Sequence, residues 1–127
     1  MIKTKSLREP KEPRDGTRVL ITRYRPRGVR KGQESWSEWD KRLAPSTELF
    51  DAFYGRKRKG GRVVARDLPP LPFGEYVRSF KAEMKGPEAK EALAALRRRS
   101  RAGETVTLLC FCEDEARCHR GLVRGLL

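Results

Sequence analysis

A near-continuous apolar run near the end of this 127-residue chain restricts its fold more than any other feature. The run is Thr105–Cys112, with the sequence Thr-Val-Thr-Leu-Leu-Cys-Phe-Cys. A strand with apolar side chains on both sides is typical of a parallel sheet, in which both faces are covered. The segment Arg18–Tyr24 is rich in β-branched and aromatic residues and precedes a Pro/Gly turn, so it predicts a second buried strand.

Helical patterns occupy most of the chain between and after these two strands. Trp36, Trp39 and Leu43 fall at i, i+3 and i+7, which predicts a short amphipathic helix. The other predicted helices are one capped by Ser46 or Thr47 that ends before Gly55, one beginning at Glu75, Glu88–Arg101 and Cys118–Leu127. The remaining predictions are a short edge strand at Ile2–Leu7, a basic loop at Arg56–Gly61, a short strand at Arg62–Arg66 and an acidic turn at Glu113–Glu115.

The order strand, helices, strand, helix predicts parallel pairing through a right-handed crossover. We therefore expect a small three-layer α/β fold with a mostly parallel sheet flanked by helices. The length predicts one domain over residues 1–127, in which residues 1–16 form an extended basic N-terminal segment.

Two features favour a cytoplasmic location. The longest mostly apolar run, Val106–Cys112, is far too short to span a bilayer, and Met1–Arg14 has no apolar stretch typical of a targeting segment. The three cysteines are an odd number close together, which argues against a secreted disulfide framework.

The charge of the chain is strongly positive, with a formal net charge of +13 and twenty arginines among the thirty cationic residues. Such an excess favours a partner that carries phosphate: nucleic acid, an anionic membrane or a phosphorylated small molecule. A thermophilic or GC-rich origin is the alternative explanation. No acidic residue lies between Asp15 and Glu34 or between Asp51 and Asp67, which indicates a continuous positive patch. The residues predicted to contact nucleic-acid phosphates are Arg25, Arg27, Arg30, Lys31, Arg56, Lys57, Arg58, Lys59 and Arg62.

Ligand sites in open α/β sheets form outside the carboxyl ends of the strands. The segments that follow the two core strands should therefore converge at one edge of the sheet. Cys118-His119-Arg120 opens the last predicted helix, whose free N–H groups attract anions. We expect an anion-binding cleft formed there by Arg23, Arg27, Cys118, His119 and Arg120.

The cysteines offer two further chemistries. A cysteine phosphatase needs Cys-x5-Arg, but the required position holds Ala116 after Cys110 and Cys118 after Cys112, so that class is excluded. Three thiolates and the His119 imidazole would suit zinc. Against zinc, a cysteine in an apolar strand is often simple core, and adjacent Cys118 and His119 would have to bind one ion. The sequence therefore assigns no metal ligand, no cofactor and no catalytic residue.

Several segments together resemble the YeaO-like family, a domain of unknown function. They are Ile2-Lys3-Thr4-Lys5, Asp15-Gly16-x-Arg18-Val19-Leu20, Arg23-x-x-Pro26-Arg27-Gly28-Val29 and Trp39-x-Lys41-x-Leu43-Ala44-Pro45-Ser46. Thr107-Leu108-Leu109 and Cys118-His119-Arg120 resemble the end of the broader superfamily. The resemblance implies a compact α/β domain without a settled activity. Relatives usually carry Asp where this chain has Thr22 and Trp where it has Arg25, so the chain resembles a divergent, more basic member.

The sequence favours binding over catalysis, because no complete nucleophile, base and acid set is present. We expect a protein that docks on nucleic acid, RNA more than DNA, through phosphate contacts, within a ribonucleoprotein such as the ribosome. The alternative is an enzyme or sensor domain that binds a phosphorylated small molecule in the sheet-edge cleft. The sequence predicts no membrane partner and does not indicate an oligomeric state.

Overall fold

The computed structural model describes residues 1–112 and 114–127, so Glu113 of the predicted acidic turn lies outside the described residues. The strands are β1 (Ile2–Ser6), β2 (Thr17–Leu20), β3 (Glu38–Trp39), β4 (Lys57–Lys59), β5 (Arg62–Ala65) and β6 (Val106–Cys110). The α-helices are α1 (Thr47–Phe53), α2 (Phe73–Glu83), α3 (Pro87–Arg101) and α4 (His119–Gly125). Short 3-10 turns lie at Pro13–Asp15, Lys41–Leu43 and Glu115–Arg117.

The apolar run forms the interior strand of a parallel sheet, as its composition predicts. The strand order is β1-β6-β2-β3, and all neighbouring pairs are parallel. Leu108 in β6 pairs with Thr4 in β1 on one side and with Val19 in β2 on the other. Every residue of β6 is buried. The expected α/β fold, a mostly parallel sheet flanked by helices, is confirmed, and β1 is the predicted edge strand.

The hydrophobic core lies between one face of the sheet and the helices. Val19, Val106 and Leu108 pack in one buried cluster with helix residues such as Phe80 and Leu93. Alternate residues of a strand point to opposite faces, so the two β6 residues in this cluster share the face that the helices cover. Each fully buried large apolar side chain contributes roughly 1.5–3 kcal/mol, so this packing fixes the helices against the sheet.

The structure also contains a buried ion pair that joins β2 to the segment before it. Arg18 in β2 donates to the Asp15 carboxylate, and both side chains are only 2% exposed. Lys5 in β1 contributes a second ion pair to Asp15 at 2.9 Å. The Thr107 hydroxyl donates to the Asp15 backbone carbonyl at 2.7 Å, so the pair is tied to three neighbouring strands.

The predicted helix from Trp36 to Leu43 is wrong. This segment contains β3, in which Trp39 pairs with Leu20 of β2, followed by the 3-10 turn Lys41–Leu43. The Trp39 indole N–H donates to the Thr22 carbonyl at 2.7 Å. Pairing with the edge of β2 gives hydrogen-bond partners to backbone N–H and C=O groups that a short isolated helix would leave to water. These tertiary contacts therefore decide the structure here, although the spacing of the apolar residues is helical.

The predicted basic loop at Arg56–Gly61 is also wrong, because most of it belongs to an antiparallel hairpin. Lys59 of β4 pairs with Arg62 of β5 across the two-residue turn Gly60–Gly61. Both glycines have positive φ, 59° and 79°, which a two-residue hairpin turn of type I′ requires. The strand expected at Arg62–Arg66 is confirmed as β5.

The other helices agree with the sequence. Ser46 caps α1 by accepting the Leu49 N–H at 3.1 Å, and Gly55 ends it with φ +64°. α2 begins two residues before the predicted Glu75, and α3 has Pro87 at its first position. Among the described residues, no helix is long and apolar enough to cross a membrane.

Candidate ligand-binding cleft

A cleft of about 710 Å³ opens at the carboxyl ends of β2 and β6. Residues that follow β2, including Arg23 and Arg27, form one wall, and the end of β6 with Cys118 and His119 forms another. α1 and the β4–β5 hairpin provide the remaining walls. The two chemically rich segments therefore converge at one edge of the sheet, as the parallel topology predicts.

Arginine is the main polar component of the cleft lining. The lining arginines are Arg23, Arg25, Arg27, Arg56, Arg58, Arg66 and Arg117. No Asp or Glu belongs to the lining within residues 1–112 and 114–127. This combination makes the cleft attractive to anions, because guanidinium groups bind phosphate and carboxylate bidentately.

Some of these arginines already have protein partners. Arg23 donates to three backbone carbonyls, of which the nearest is that of Pro45 at 2.8 Å. Arg25 is paired with Glu34 at 3.0 Å, and Arg58 forms two hydrogen bonds with Asp51 at 2.9 and 3.0 Å. These contacts hold the three side chains in place and offset part of their charge.

Two lining arginines are the best placed to receive a ligand. Arg27 and Arg66 are both exposed, and neither forms a hydrogen bond or ion pair with another residue in the described part of the chain. A bound anion would therefore not have to displace a protein carboxylate from them.

Aromatic rings form a second component of the lining. Tyr24 and Phe50 meet edge to face with their centroids 5.1 Å apart, and Phe50 lies 4.7 Å from Tyr54. The Arg56 guanidinium lies over both Phe50 and Tyr54, at 5.5 and 5.3 Å from their centroids. Flat rings next to cations suit a ligand that has both an aromatic part and a negative charge.

The floor of the cleft is a cluster of sulfur atoms. The thiols of Cys110, Cys112 and Cys118 lie within 4.8 Å of one another, and all three cysteines are free. His119 Nδ1 is 3.7 Å from the Cys110 sulfur and 3.8 Å from the Cys118 sulfur. Its Nε2 lies 2.6 Å from the Ile21 carbonyl oxygen. A carbonyl only accepts, so Nε2 carries the proton and Nδ1 faces the sulfur atoms with its lone pair.

Hydrogen bonding within the cluster separates the three thiols chemically. Hydrogen bonds from Cys110 and Cys118 lower the pKa of the Cys112 thiol. The hydrogen bond with Cys112, together with burial, raises the pKa of Cys110. Hydrogen bonds with Cys110 and Cys112, together with burial, raise the pKa of Cys118. Burial and the neighbouring Cys112 sulfur raise the pKa of the Tyr54 hydroxyl. Cys112 is the half-buried member of the cluster, whereas Cys110 and Cys118 are buried.

The predicted site residues fall into three groups. Those that line the cleft are Arg23, Arg25, Arg27, Arg56, Arg58, Cys118 and His119. Those exposed outside it are Arg30 and Lys31 in the loop after β2 and Lys57, Lys59 and Arg62 on the hairpin. Arg120 is only 2% exposed and donates to the Cys112 carbonyl, so its side chain supports the cysteine segment and does not line the cleft.

Sequence reasoning missed several lining residues. It places Tyr24 in a strand, gives Phe50 and Tyr54 no role in binding, and assigns neither Arg66 nor Arg117 to a site. Arg66 ends the second acid-free basic stretch and Arg117 precedes Cys118, so both positions carry a usable signal. The aromatic residues give no sequence signal of a role in binding, because their spacing is equally typical of a helix that faces the core.

Comparisons with known proteins agree with the resemblance seen in the sequence. Uncharacterized protein YeaO of Escherichia coli is 46% identical over 54 residues, which cover 42% of this chain and 47% of YeaO, so the match spans about half of that relative. Uncharacterized proteins of Mycobacterium tuberculosis and Mycobacterium bovis are 29% identical over 116 residues, which cover 91% of this chain and 84% of each relative. No solved structure matches the chain. The sequence profile of the active DUF488-N3 subclade matches residues 2–127, and the chain therefore belongs to this DUF488-N3a family, related to YeaO.

Proposed function

We propose that the cleft binds a phosphate-bearing ligand that also has a flat ring, of the nucleotide class. The observation that carries this proposal is the lining of seven arginines without a carboxylate among the described residues. The excess of positive charge in the chain is thus concentrated at the edge of the sheet where α/β folds bind ligands.

The shape and chemistry of the cleft support a small ligand. Its volume of about 710 Å³ is within the range of roughly 300–1,000 Å³ that small-molecule sites occupy. Arg27 and Arg66 would hold the phosphate, because their guanidinium groups are exposed and unpaired in the described part of the chain. The rings of Tyr24 and Tyr54 would contact the flat part of the ligand.

A polynucleotide is the second candidate ligand, and a specific observation favours it. Five exposed cations lie outside the cleft lining, on two segments that contribute other residues to it. They are Lys57, Lys59 and Arg62 on the hairpin and Arg30 and Lys31 in the loop after β2. We call these five residues the rim cations. They would contact neighbouring phosphates of a structured RNA, within a cytoplasmic ribonucleoprotein such as the ribosome, while one nucleotide enters the cleft.

Two matched double variants distinguish these ligands, since each removes two positive charges. In the cleft variant, Arg27→Ala with Arg66→Ala, we expect the affinity for a mononucleotide such as AMP to fall at least about tenfold, because hydrogen bonds to charged groups contribute roughly 1.5–3 kcal/mol each. The rim variant, Lys57→Ala with Lys59→Ala, should bind AMP as the native protein does. Isothermal titration calorimetry at fixed ionic strength measures both affinities.

The same variants test the polynucleotide with single-stranded and structured RNA in a salt series. If the rim cations contact phosphates, the rim variant lowers the slope of log affinity against log salt by roughly 0.7–0.9 per lost contact. Native protein that binds neither AMP nor RNA at physiological salt would refute the proposal. Equal losses in both double variants would reduce the binding to general attraction by a cationic surface.

A further inference from the structure

We propose that Cys110, Cys112, Cys118 and His119 bind one zinc ion in a closed tetrahedral site. The four residues come from three consecutive parts of the chain: the end of β6, the segment after it and the start of α4. This inference is independent of the proposed ligand of the cleft, because it rests on the distances among the four side chains.

Three of those distances match a tetrahedral zinc centre. Zinc bonds of about 2.3 Å to sulfur and 2.0–2.1 Å to nitrogen require sulfur atoms about 3.8 Å apart and sulfur–nitrogen separations of about 3.6 Å. The Cys110 and Cys112 sulfur atoms are 3.8 Å apart. His119 Nδ1 lies 3.7 Å from the Cys110 sulfur and 3.8 Å from that of Cys118. The three sulfur atoms lie within 4.8 Å of one another, but His119 Nδ1 is farther than 4.8 Å from the Cys112 sulfur. The half-buried Cys112 side chain would therefore have to move toward the histidine to complete the site.

The orientation of His119 provides a second, independent argument. Its Nε2–H donates to the Ile21 carbonyl at 2.6 Å, and the residue is only 5% exposed. This hydrogen bond fixes the tautomer in which Nδ1 is the free electron-pair donor, and it directs that atom toward the sulfur atoms. Zinc-binding histidines are held in the same way, by donating their other N–H to a carbonyl or carboxylate.

The local backbone removes the objection that adjacent residues would have to bind one ion. Cys118 is extended, with φ −132° and ψ 145°, whereas His119 begins α4. The change of backbone conformation between them turns both side chains toward the same point. The Arg120 guanidinium donates to the Cys112 carbonyl and so supports the segment that carries the Cys112 sulfur.

A disulfide does not explain the cluster. Disulfide sulfur atoms are about 2.05 Å apart, whereas the Cys110 and Cys112 sulfur atoms are 3.8 Å apart. A disulfide would also leave the third thiol and His119 Nδ1 without a function. Three soft thiolates with one imidazole in tetrahedral geometry are typical of zinc, and four protein ligands are typical of a structural zinc site.

The experiment measures metal bound to the whole chain, purified in the presence of a non-thiol reductant and without chelators. We expect about one zinc per chain by inductively coupled plasma mass spectrometry, as a four-ligand site requires. Replacement by cobalt(II) should give the intense visible absorption of a tetrahedral thiolate complex. Cys112→Ser and Cys118→Ser should each weaken zinc binding by more than about tenfold, since loss of a mere supporting contact already costs about 10–100-fold.

Phe111→Ser is the matched control, because Phe111 lies between two of the cysteines but is 39% exposed and has no ligand atom for zinc. This variant should retain the zinc content and the cobalt spectrum of the native chain. Cys112 is half-buried and lies outside β6, so its replacement should leave the fold intact by circular dichroism.

Three results would overturn the proposal. The first is a folded, fully reduced chain that takes up neither zinc nor cobalt(II). The second is a bound metal whose affinity is unchanged in both cysteine variants. The third is a cobalt(II) spectrum that lacks the bands expected for thiolate ligands.

Discussion

The buried carboxylate of Asp15 offers a sharp test of how this sheet is held together. Asp15→Asn keeps the shape of the side chain but removes its charge. Asp15 is 2% exposed at the side chain and forms ion pairs with Arg18 and with Lys5, the latter at 2.9 Å. It also accepts the Glu12 backbone N–H at 3.0 Å. The substitution therefore leaves the buried Arg18 guanidinium without its compensating charge.

The expected cost follows from this burial. Removing one partner of a buried ion pair costs about 3–5 kcal/mol. The amide oxygen of the introduced asparagine would still accept one hydrogen bond, and Arg18 keeps its bond to the Ser35 carbonyl at 2.7 Å. We therefore expect Asp15→Asn to lower the free energy of unfolding by the lower end of this range, about 3 kcal/mol. For a domain of this size that corresponds to a decrease in Tm of roughly 10 °C.

The pH dependence of stability gives the same prediction an independent readout. Burial alone would raise the pKa of Asp15, but the Glu12 N–H, Lys5 and Arg18 outweigh it and lower that pKa from 3.8 to about 2. A carboxylate with a lowered pKa stabilises the folded state above its unfolded pKa. This contribution should be lost as the pH falls from about 4 to about 2, and Asp15→Asn should flatten the stability curve there.

Urea denaturation followed by circular dichroism measures both effects. Glu91→Gln is the control, because Glu91 pairs with Arg98 at 3.1 Å but both side chains are 62% exposed. Surface pairs of this kind contribute little, so the control should be indistinguishable from the native chain. If Asp15→Asn costs less than about 1 kcal/mol, or no more than the control, the buried pair does not hold β2 as argued.

Two further stability changes follow from single contacts. Trp39→Phe removes the indole N–H that donates to the Thr22 carbonyl at 2.7 Å, so we expect a loss of about 1 kcal/mol in urea denaturation, and an unchanged midpoint would contradict it. Gly55→Ala would put a Cβ 2.2 Å from the Leu68 carbonyl oxygen at a φ of +64°, and should cost at least about 2 kcal/mol. Gly103→Ala, at φ +90° in open space, should cost only about 1–2 kcal/mol, so an equal loss in both would show that the clash near Leu68 is not what matters.

The sequence predicts the sheet well where burial alone decides the structure. The run at Val106–Cys110 has one stable arrangement, with strands on both sides, because no face of it tolerates water. Ser46 at the start of α1, Pro87 at the first position of α3 and Gly55 after α1 act through local interactions. Such residues can be recognised directly in the sequence. These features determine the fold class and most of the helix boundaries.

The sequence fails where long-range contacts decide. The spacing of Trp36, Trp39 and Leu43 predicts a helix, but two residues paired with β2 and one indole hydrogen bond determine the structure there. Such a short strand has no periodicity to read. The Gly60–Gly61 pair is a hairpin signal, but the lysines and arginines around it hide the alternation that marks strands.

Topology locates the cleft, and the two acid-free stretches of the sequence supply six of its seven lining arginines. Parallel strands direct the segments after β2 and β6 to the same edge, which brings Arg27, Cys118 and His119 together. The position of the aromatic lining residues depends on how α1 packs in the fold. This packing cannot be predicted from a local sequence pattern. The role of these residues in binding stays a prediction.

Net charge is a poor guide to the binding site, because many of the cations are already paired. Arg18, Arg42, Arg98 and Arg99 each form an ion pair away from the cleft. Acidic residues thus offset part of the positive charge elsewhere on the protein. The described cleft lining contains no acidic residue, although Glu34 and Asp51 reach Arg25 and Arg58 from outside it. The sulfur cluster at the floor of that lining offers three ligand atoms for a metal ion. A ligand that carries phosphate would therefore bind near the arginines at the mouth, whereas a metal cation would bind at the sulfur floor, and the two sites should respond to separate substitutions.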